Sequence, residues 1–199
     1  MIIKKPELLN QLRNYYVSKN IPINEANIFG IRFEENQNLD LWNDWLGIWN
    51  QNEAFVWSGT TDPGKKATEE STRGCAHVVL GYHPFVWQVG IHSAGKPSQH
   101  PALVQTGNEI KIWRDKNKDF IYNSNIDFFD TGYFGINFHR ASKIQDVEFI
   151  GPYSAGCQVT RNAQDFEFAL NLLLNTEAFK KDNKFRFSYM LFDKSELSI

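Results

Sequence analysis

Between Asn27 and Thr160 the chain breaks repeatedly into short apolar runs separated by Gly, Asn, Asp and Pro. That texture is what strands bounded by turns require, and it makes the chain mainly β. The runs place strands over residues 28–33, 54–58, 77–81, 85–91, 102–106, 109–114, 133–138 and 158–160. Residues 39–49 are two-sided: Leu41, Trp45 and Ile48 suit a helix, whereas the Trp-rich composition suits a strand, which is the reading adopted. Thr106-Gly107-Asn108 has the residues of a tight hairpin turn and is expected to pair the strands beside it.

Helices frame this region. Leu8, Leu9, Leu12, Tyr15 and Tyr16 recur at helical spacing behind Pro6, so residues 6–18 form an amphipathic helix, and residues 1–26 brace a single domain over 27–199. Asn162 stands where a helix cap belongs, with Asp165 three residues on and Phe166, Ala169, Leu170, Leu173 and Leu174 as the buried stripe. That helix should run to about Phe179, followed by a polar turn over 180–184 and a closing strand over 185–192. The fold class expected is α+β, dominated by β.

The chain has 199 residues, 42% of them hydrophobic and 22% charged, which fits one ordinary globular domain rather than a disordered or membrane-spanning chain. Its net charge is −2 and its 21 Lys and Arg are scattered, so nucleic acid is not an expected partner. The first twenty residues carry charges and Asn without a continuous apolar stretch, so no export signal is read there and synthesis in the cytoplasm is expected. The aromatic share of 15% fits strand cores, with sugar-stacking surfaces as the other use. Cys75 and Cys157 are the only cysteines and belong to no CxxC pair.

The stretch over residues 132–166 carries the chemistry. A strand ending in His139 is followed by a polar loop and then by Ser154-Ala155-Gly156-Cys157. A nucleophilic thiol needs a base within hydrogen-bond reach, and a Gly before it lets backbone N–H groups face a developing oxyanion. His139 would take the thiol proton and return it to the leaving amine, with its other ring nitrogen held by backbone. Taken alone, a Cys and a His eighteen positions apart are weak evidence, since a free Cys is commonly a small buried hydrophobe.

His139, fourteen intervening residues and then Ser154-x-Gly156-Cys157 is similar to the signature of the L,D-transpeptidase (YkuD-like) family. TTDPG at 60–64, ALVQ at 102–105, WRDKNKD at 113–119, GINFHR at 135–140 and SAGCQV at 154–159 resemble a divergent phage and bacterial branch. The resemblance implies a YkuD-like mixed sheet or sandwich and a cysteine acyl-enzyme formed on a peptidoglycan stem peptide. The acyl group then passes to an amine, giving a cross-link, or to water, giving hydrolysis as in an endolysin-like peptidase. It implies Cys157 as nucleophile, His139 as base, and Ser154 and Gly156 as the residues shaping the turn. Arg140, Gln158 and His92 are then candidates for binding substrate, with no cofactor and no metal. Such an enzyme would act at the wall or in the periplasm after release or secretion. The better-known members have Gly after the His and Arg or Asn near the Cys, whereas this chain has Arg140 and Gln158-Val159, so the acceptor stays open. A non-catalytic cell-wall or glycan-binding module on the same fold is the alternative.

Other patterns carry weaker signals. Asp115, Asn117, Asp119 and Asn123 sit at calcium-loop spacing, but Phe120 replaces the loop Gly and Ile126 the closing Glu, leaving a solvated turn or a degenerate cation site. His77, His83, His92 and His100 lack zinc-site spacing, and on a continuous strand His83 and His92 would face opposite sides. Thr60–Gly64 reads as a turn or cleft wall, and Cys75 as structural.

Overall fold

The computed structural model describes residues 3–33, 40–118, 129–143 and 147–199. Twelve strands and four helices are found among them: β1 (Ile3–Lys4), α1 (Pro6–Ser18), β2 (Asn27–Arg32), β3 (Asp44–Trp49), β4 (Ala54–Thr60), α2 (Lys65–Glu70), β5 (Cys75–Val78), β6 (Gly81–His92), β7 (His100–Gln105), β8 (Ile110–Asp115), β9 (Phe129–Gly132), β10 (Phe138–Arg140), β11 (Gln158–Thr160), α3 (Ala163–Leu174), α4 (Glu177–Lys181) and β12 (Arg186–Asp193). The chain is thus mainly β, as its texture requires. Eight strands close into a barrel in the order β2-β3-β4-β11-β10-β7-β6-β12, with β12 returning to β2. Pairing is mixed: β2 with β12 and β10 with β11 run parallel, and the rest antiparallel. A separate three-stranded sheet, β5-β8-β9, stands beside the barrel.

Alternation along each strand sorts the side chains onto two faces. Ile28, Leu46, Ile48, Phe55, Trp57, Tyr189 and Leu191 face the barrel interior, where Phe166, Ala169 and Leu173 of α3 join them. Ala76, Val78, Ile110 and Ile112 bring the smaller sheet into the same core. The opposite face of β2, β3, β4 and β12 presents Phe29, Ile31, Trp49, Val56, Met190 and Phe192 to Leu8, Leu9, Leu12 and Tyr16 of α1. Helix α1 therefore braces the barrel from outside.

Four expectations are corrected. Thr106-Gly107-Asn108 does not join a hairpin, because β7 pairs with β6 and β10 while β8 pairs with β5 and β9. The Gly107 and Asn108 amides instead donate to the carbonyls of Val86 and Phe85. Residues 133–137 form no strand: the amides of Phe134 and Ile136 both donate to Gln105 Oε1, a side chain, in place of a ladder. The C-terminal helix stops at Leu174, where Thr176 Oγ1 donates to Leu173 O and accepts from Phe179 N, so α4 starts afresh. Asn162 holds the cap position, yet its side chain donates to Asp165 Oδ2 rather than accepting a backbone N–H. Residues 44–49 are a strand, as read.

Candidate active site

Phe138 faces the barrel interior, so its neighbours Asn137 and His139 face outward. On β6, Trp87 and Val89 lie against the core, and His92 falls on the other parity. His100 is its cross-strand partner. On β11, Gln158 turns inward and Cys157 outward. Four adjacent strands, β6, β7, β10 and β11, thus bring His92, His100, His139 and Cys157 to one patch of the outer wall. The sulfur of Cys157 and one ring nitrogen each of His139 and His92 lie within 4.8 Å of one another.

The hydrogen bonds settle which nitrogen carries each proton. His139 Nδ1 faces the Arg140 carbonyl at 2.8 Å, so it is an N–H donor and Nε2 is the bare, basic nitrogen. That Nε2 is buried without a hydrogen-bond partner among the described residues. His100 Nδ1 donates to Ser98 O at 2.7 Å, which leaves its Nε2 as an acceptor 3.4 Å from His139 Nδ1. Asn137 Oδ1 accepts from the Gln105 amide at 2.9 Å, which fixes Nδ2 toward His92 Nδ1 at 3.0 Å. His92 Nδ1 is therefore an acceptor, and its proton resides on Nε2.

Burial, aided by His92, depresses the pKa of His139 to about 3. Burial also pushes the Cys157 thiol up to about 11, against a partly offsetting hydrogen bond from the Asn137 amide at 3.4 Å. The resting pair is a neutral thiol beside a neutral imidazole. Proton transfer to His139 must accompany attack on substrate.

The turn before Cys157 is built for one conformation. Gly156 has φ +127, and a Cβ there would stand 2.4 Å from the Ala76 carbonyl oxygen. Ser154 Oγ donates to Cys157 O at 2.8 Å and accepts from Gly156 N at 3.1 Å. Ser154 and Gly156 thus shape the turn, and the Gly156 amide is engaged within it.

The substrate-binding expectations separate. Gln158 is fully buried: it accepts from Tyr189 Oη at 2.6 Å and donates to the carbonyls of Thr61 and Gly156 at 3.3 Å. It is a brace under the turn, out of substrate reach, because β alternation sends it inward when Cys157 points outward. The Arg140 guanidinium bonds Ala141 O at 3.0 Å, and the residue's clearest service is its own carbonyl to His139. His92, half-buried, lies in the site and stacks on His139 with ring centroids 3.9 Å apart and planes at 23°.

The cysteine and two histidines have metal-ligand chemistry, and their ligand atoms lie close enough together to face one ion. His77 and His83 lie elsewhere: His77 Nδ1 donates to Asp62 Oδ1 at 2.8 Å, and His83 Nε2 to Val79 O at 2.7 Å. Asp119 and Asn123 of the calcium-like loop lie outside the described residues, while Asp115 Oδ1 accepts from Lys118 N.

Beside the site, a cleft of about 580 Å³ is lined by Cys75, Ala76, Arg114, Phe134, Ile136 and Ala155, among others. Ile136 and Ala155 adjoin Asn137 and Gly156 in the chain, so the cleft reaches the turn. Sequence reasoning missed Asn137, although its parity with His139 in GINFHR was a usable signal. It also missed the buried cluster in which Arg32 pairs with Asp62 at 2.9 Å and Asp44 accepts from Thr61, signalled by charges at inward strand positions. Compared with known proteins, the chain matches no family model, no curated protein and no solved structure.

Proposed function

We propose that the chain is a cysteine acyl-transfer enzyme acting on peptidoglycan stem peptides, as an L,D-transpeptidase or as a peptidase of the same mechanism, on a YkuD-like variant of the β fold. The observation that carries the reading is the Cys157 sulfur with a ring nitrogen of His139 within 4.8 Å on the outer wall, where the Arg140 carbonyl holds the tautomer that leaves His139 Nε2 basic. The acyl-transfer class follows from that pair; the stem-peptide substrate follows from the likeness of the His139 to Cys157 stretch to the family signature.

The steps balance with these groups alone. His139 Nε2 takes the thiol proton as sulfur attacks the carbonyl carbon, the carbon–nitrogen bond breaks, and the leaving amine takes that proton from His139. An incoming amine or water then reverses the sequence on the thioester. With that substrate, the protein must reach the wall, by release or secretion.

Mass spectra of muropeptides after incubation with purified peptidoglycan test the reading. New cross-links or shortened stems are expected from the native protein, none from Cys157→Ala, and a loss of about 10²–10⁴-fold in His139→Ala. Unaltered muropeptides bound equally well by native protein and Cys157→Ala would replace the enzyme with a binding module.

A further inference from the structure

We infer that His92 is a catalytic hydrogen-bond donor, whose neutral imidazole Nε2–H binds the acyl oxygen as negative charge develops on it. The inference rests on the acyl-transfer reading and assigns that site a part which the Gly156 amide, bonded to Ser154, does not supply.

An oxyanion needs donors aimed at it before the reaction begins. The Gly156 amide is taken by Ser154 Oγ, so the usual gift of a Gly before the nucleophile is spent inside the turn. His92 has the opposite situation. The Gln105 amide can only donate, which orients the Asn137 carboxamide, which in turn can only offer N–H to His92 Nδ1. The single proton of neutral His92 is thereby forced onto Nε2. Burial, together with His100 and Lys96, lowers the pKa of His92 and keeps the ring neutral. The ring lies flat on His139, and a nitrogen of it belongs to the same group of donor atoms as the sulfur.

Two stacked imidazoles thus carry complementary tautomers. His139 presents a bare Nε2 that takes the thiol proton, and His92 presents an N–H that never leaves its ring. In the step itself the sulfur–carbon bond forms, the carbonyl π electrons move to oxygen, and His92 Nε2–H hydrogen-bonds that oxygen. Collapse of the adduct then expels the leaving group. The arrangement predicts that His92 matters wherever a carbonyl is attacked and is irrelevant where none is.

Two reactions of Cys157 separate these cases: acylation by a short peptide thioester, followed by intact-protein mass spectrometry, and alkylation by iodoacetamide. His92→Phe keeps a ring against His139 and removes the donor. It should slow acylation by about 10²–10³-fold, as loss of one oxyanion donor does, and leave alkylation unchanged. His92→Gln, whose amide can donate, should fall between, while His139→Ala should slow acylation as well. Acylation of His92→Phe at the native rate, or an equal loss in both reactions, overturns the assignment while leaving the Cys157 reading intact. Absence of any Cys157 acyl adduct on the native protein overturns both.

Discussion

The backbone carbonyl of Arg140 accepts a hydrogen bond from His139 Nδ1 at 2.8 Å, so a main-chain atom occupies the orienting position that a carboxylate fills in many triads. A carbonyl fixes the tautomer without adding negative charge. That hydrogen bond offsets the burial of His139 only in part, and its imidazolium is strongly disfavoured.

That relationship gives stability a pH dependence of definite sign. The folded pKa is about 3, whereas an unfolded His titrates near 6.5. Between those values the unfolded state binds the extra proton, so His139's contribution is complete above about pH 6.5 and is lost as pH falls toward 3, at about 1.4 kcal/mol per pH unit. Asp44, raised to about 6 chiefly by burial, tilts the balance the other way over part of the same range, so only a difference between proteins isolates His139. Urea unfolding from pH 4 to 7 should show stability falling more steeply with acid in the native protein than in His139→Gln. Parallel profiles would contradict the assignment.

The raised thiol predicts the course of alkylation. With Cys157 near 11, its reaction with iodoacetamide should climb about tenfold per pH unit from pH 7 to 10, with no plateau near neutrality. Cys75 is 4% exposed and is likewise raised by burial, so Cys157, half-buried, should label first. A plateau below pH 8 would mean a thiolate already formed in the resting enzyme.

Much of this was legible in the residues, and the parts that were not share a cause. Helix α1 runs over Pro6–Ser18 because its apolar period is local information. The turn at Thr106–Asn108 was equally visible, but turn chemistry does not say which sheet each flanking strand joins. Cys157 and His139 could be paired from the likeness of their stretch to a known signature, since their spacing alone is weak evidence. The roles of His92, His100 and Asn137 depend on strand neighbours far apart in sequence, which only the closed barrel supplies. Gln158 reads in sequence as a substrate-binding candidate beside the nucleophile, whereas a strand reverses direction at every residue and sends it inward.

Gly156→Ala tests the turn. The new Cβ would meet the Ala76 carbonyl at 2.4 Å in a backbone with φ +127, which L-residues rarely adopt. A cost of about 1–3 kcal/mol is expected, read as a lowered urea midpoint, together with slower Cys157 acylation as the turn shifts. Ser154→Ala removes both hydrogen bonds of the same turn without the clash, and should cost less stability while still slowing acylation.

Tyr189→Phe tests the brace beneath the site. The Tyr189 hydroxyl donates to Gln158 Oε1 at 2.6 Å inside the barrel, and both side chains are fully buried. Removing the hydroxyl leaves a buried acceptor without that donor, at a cost of about 1–3 kcal/mol. Gln158 is then free to rotate, and its bonds to Thr61 O and Gly156 O weaken, which loosens the turn from below. The double variant Tyr189→Phe with Gln158→Leu should recover part of the lost stability, because donor and acceptor are removed together, yet its acylation should stay slow for want of the bond to Gly156. Acylation at the native rate in the double variant would show that the turn holds its shape without support from the barrel interior.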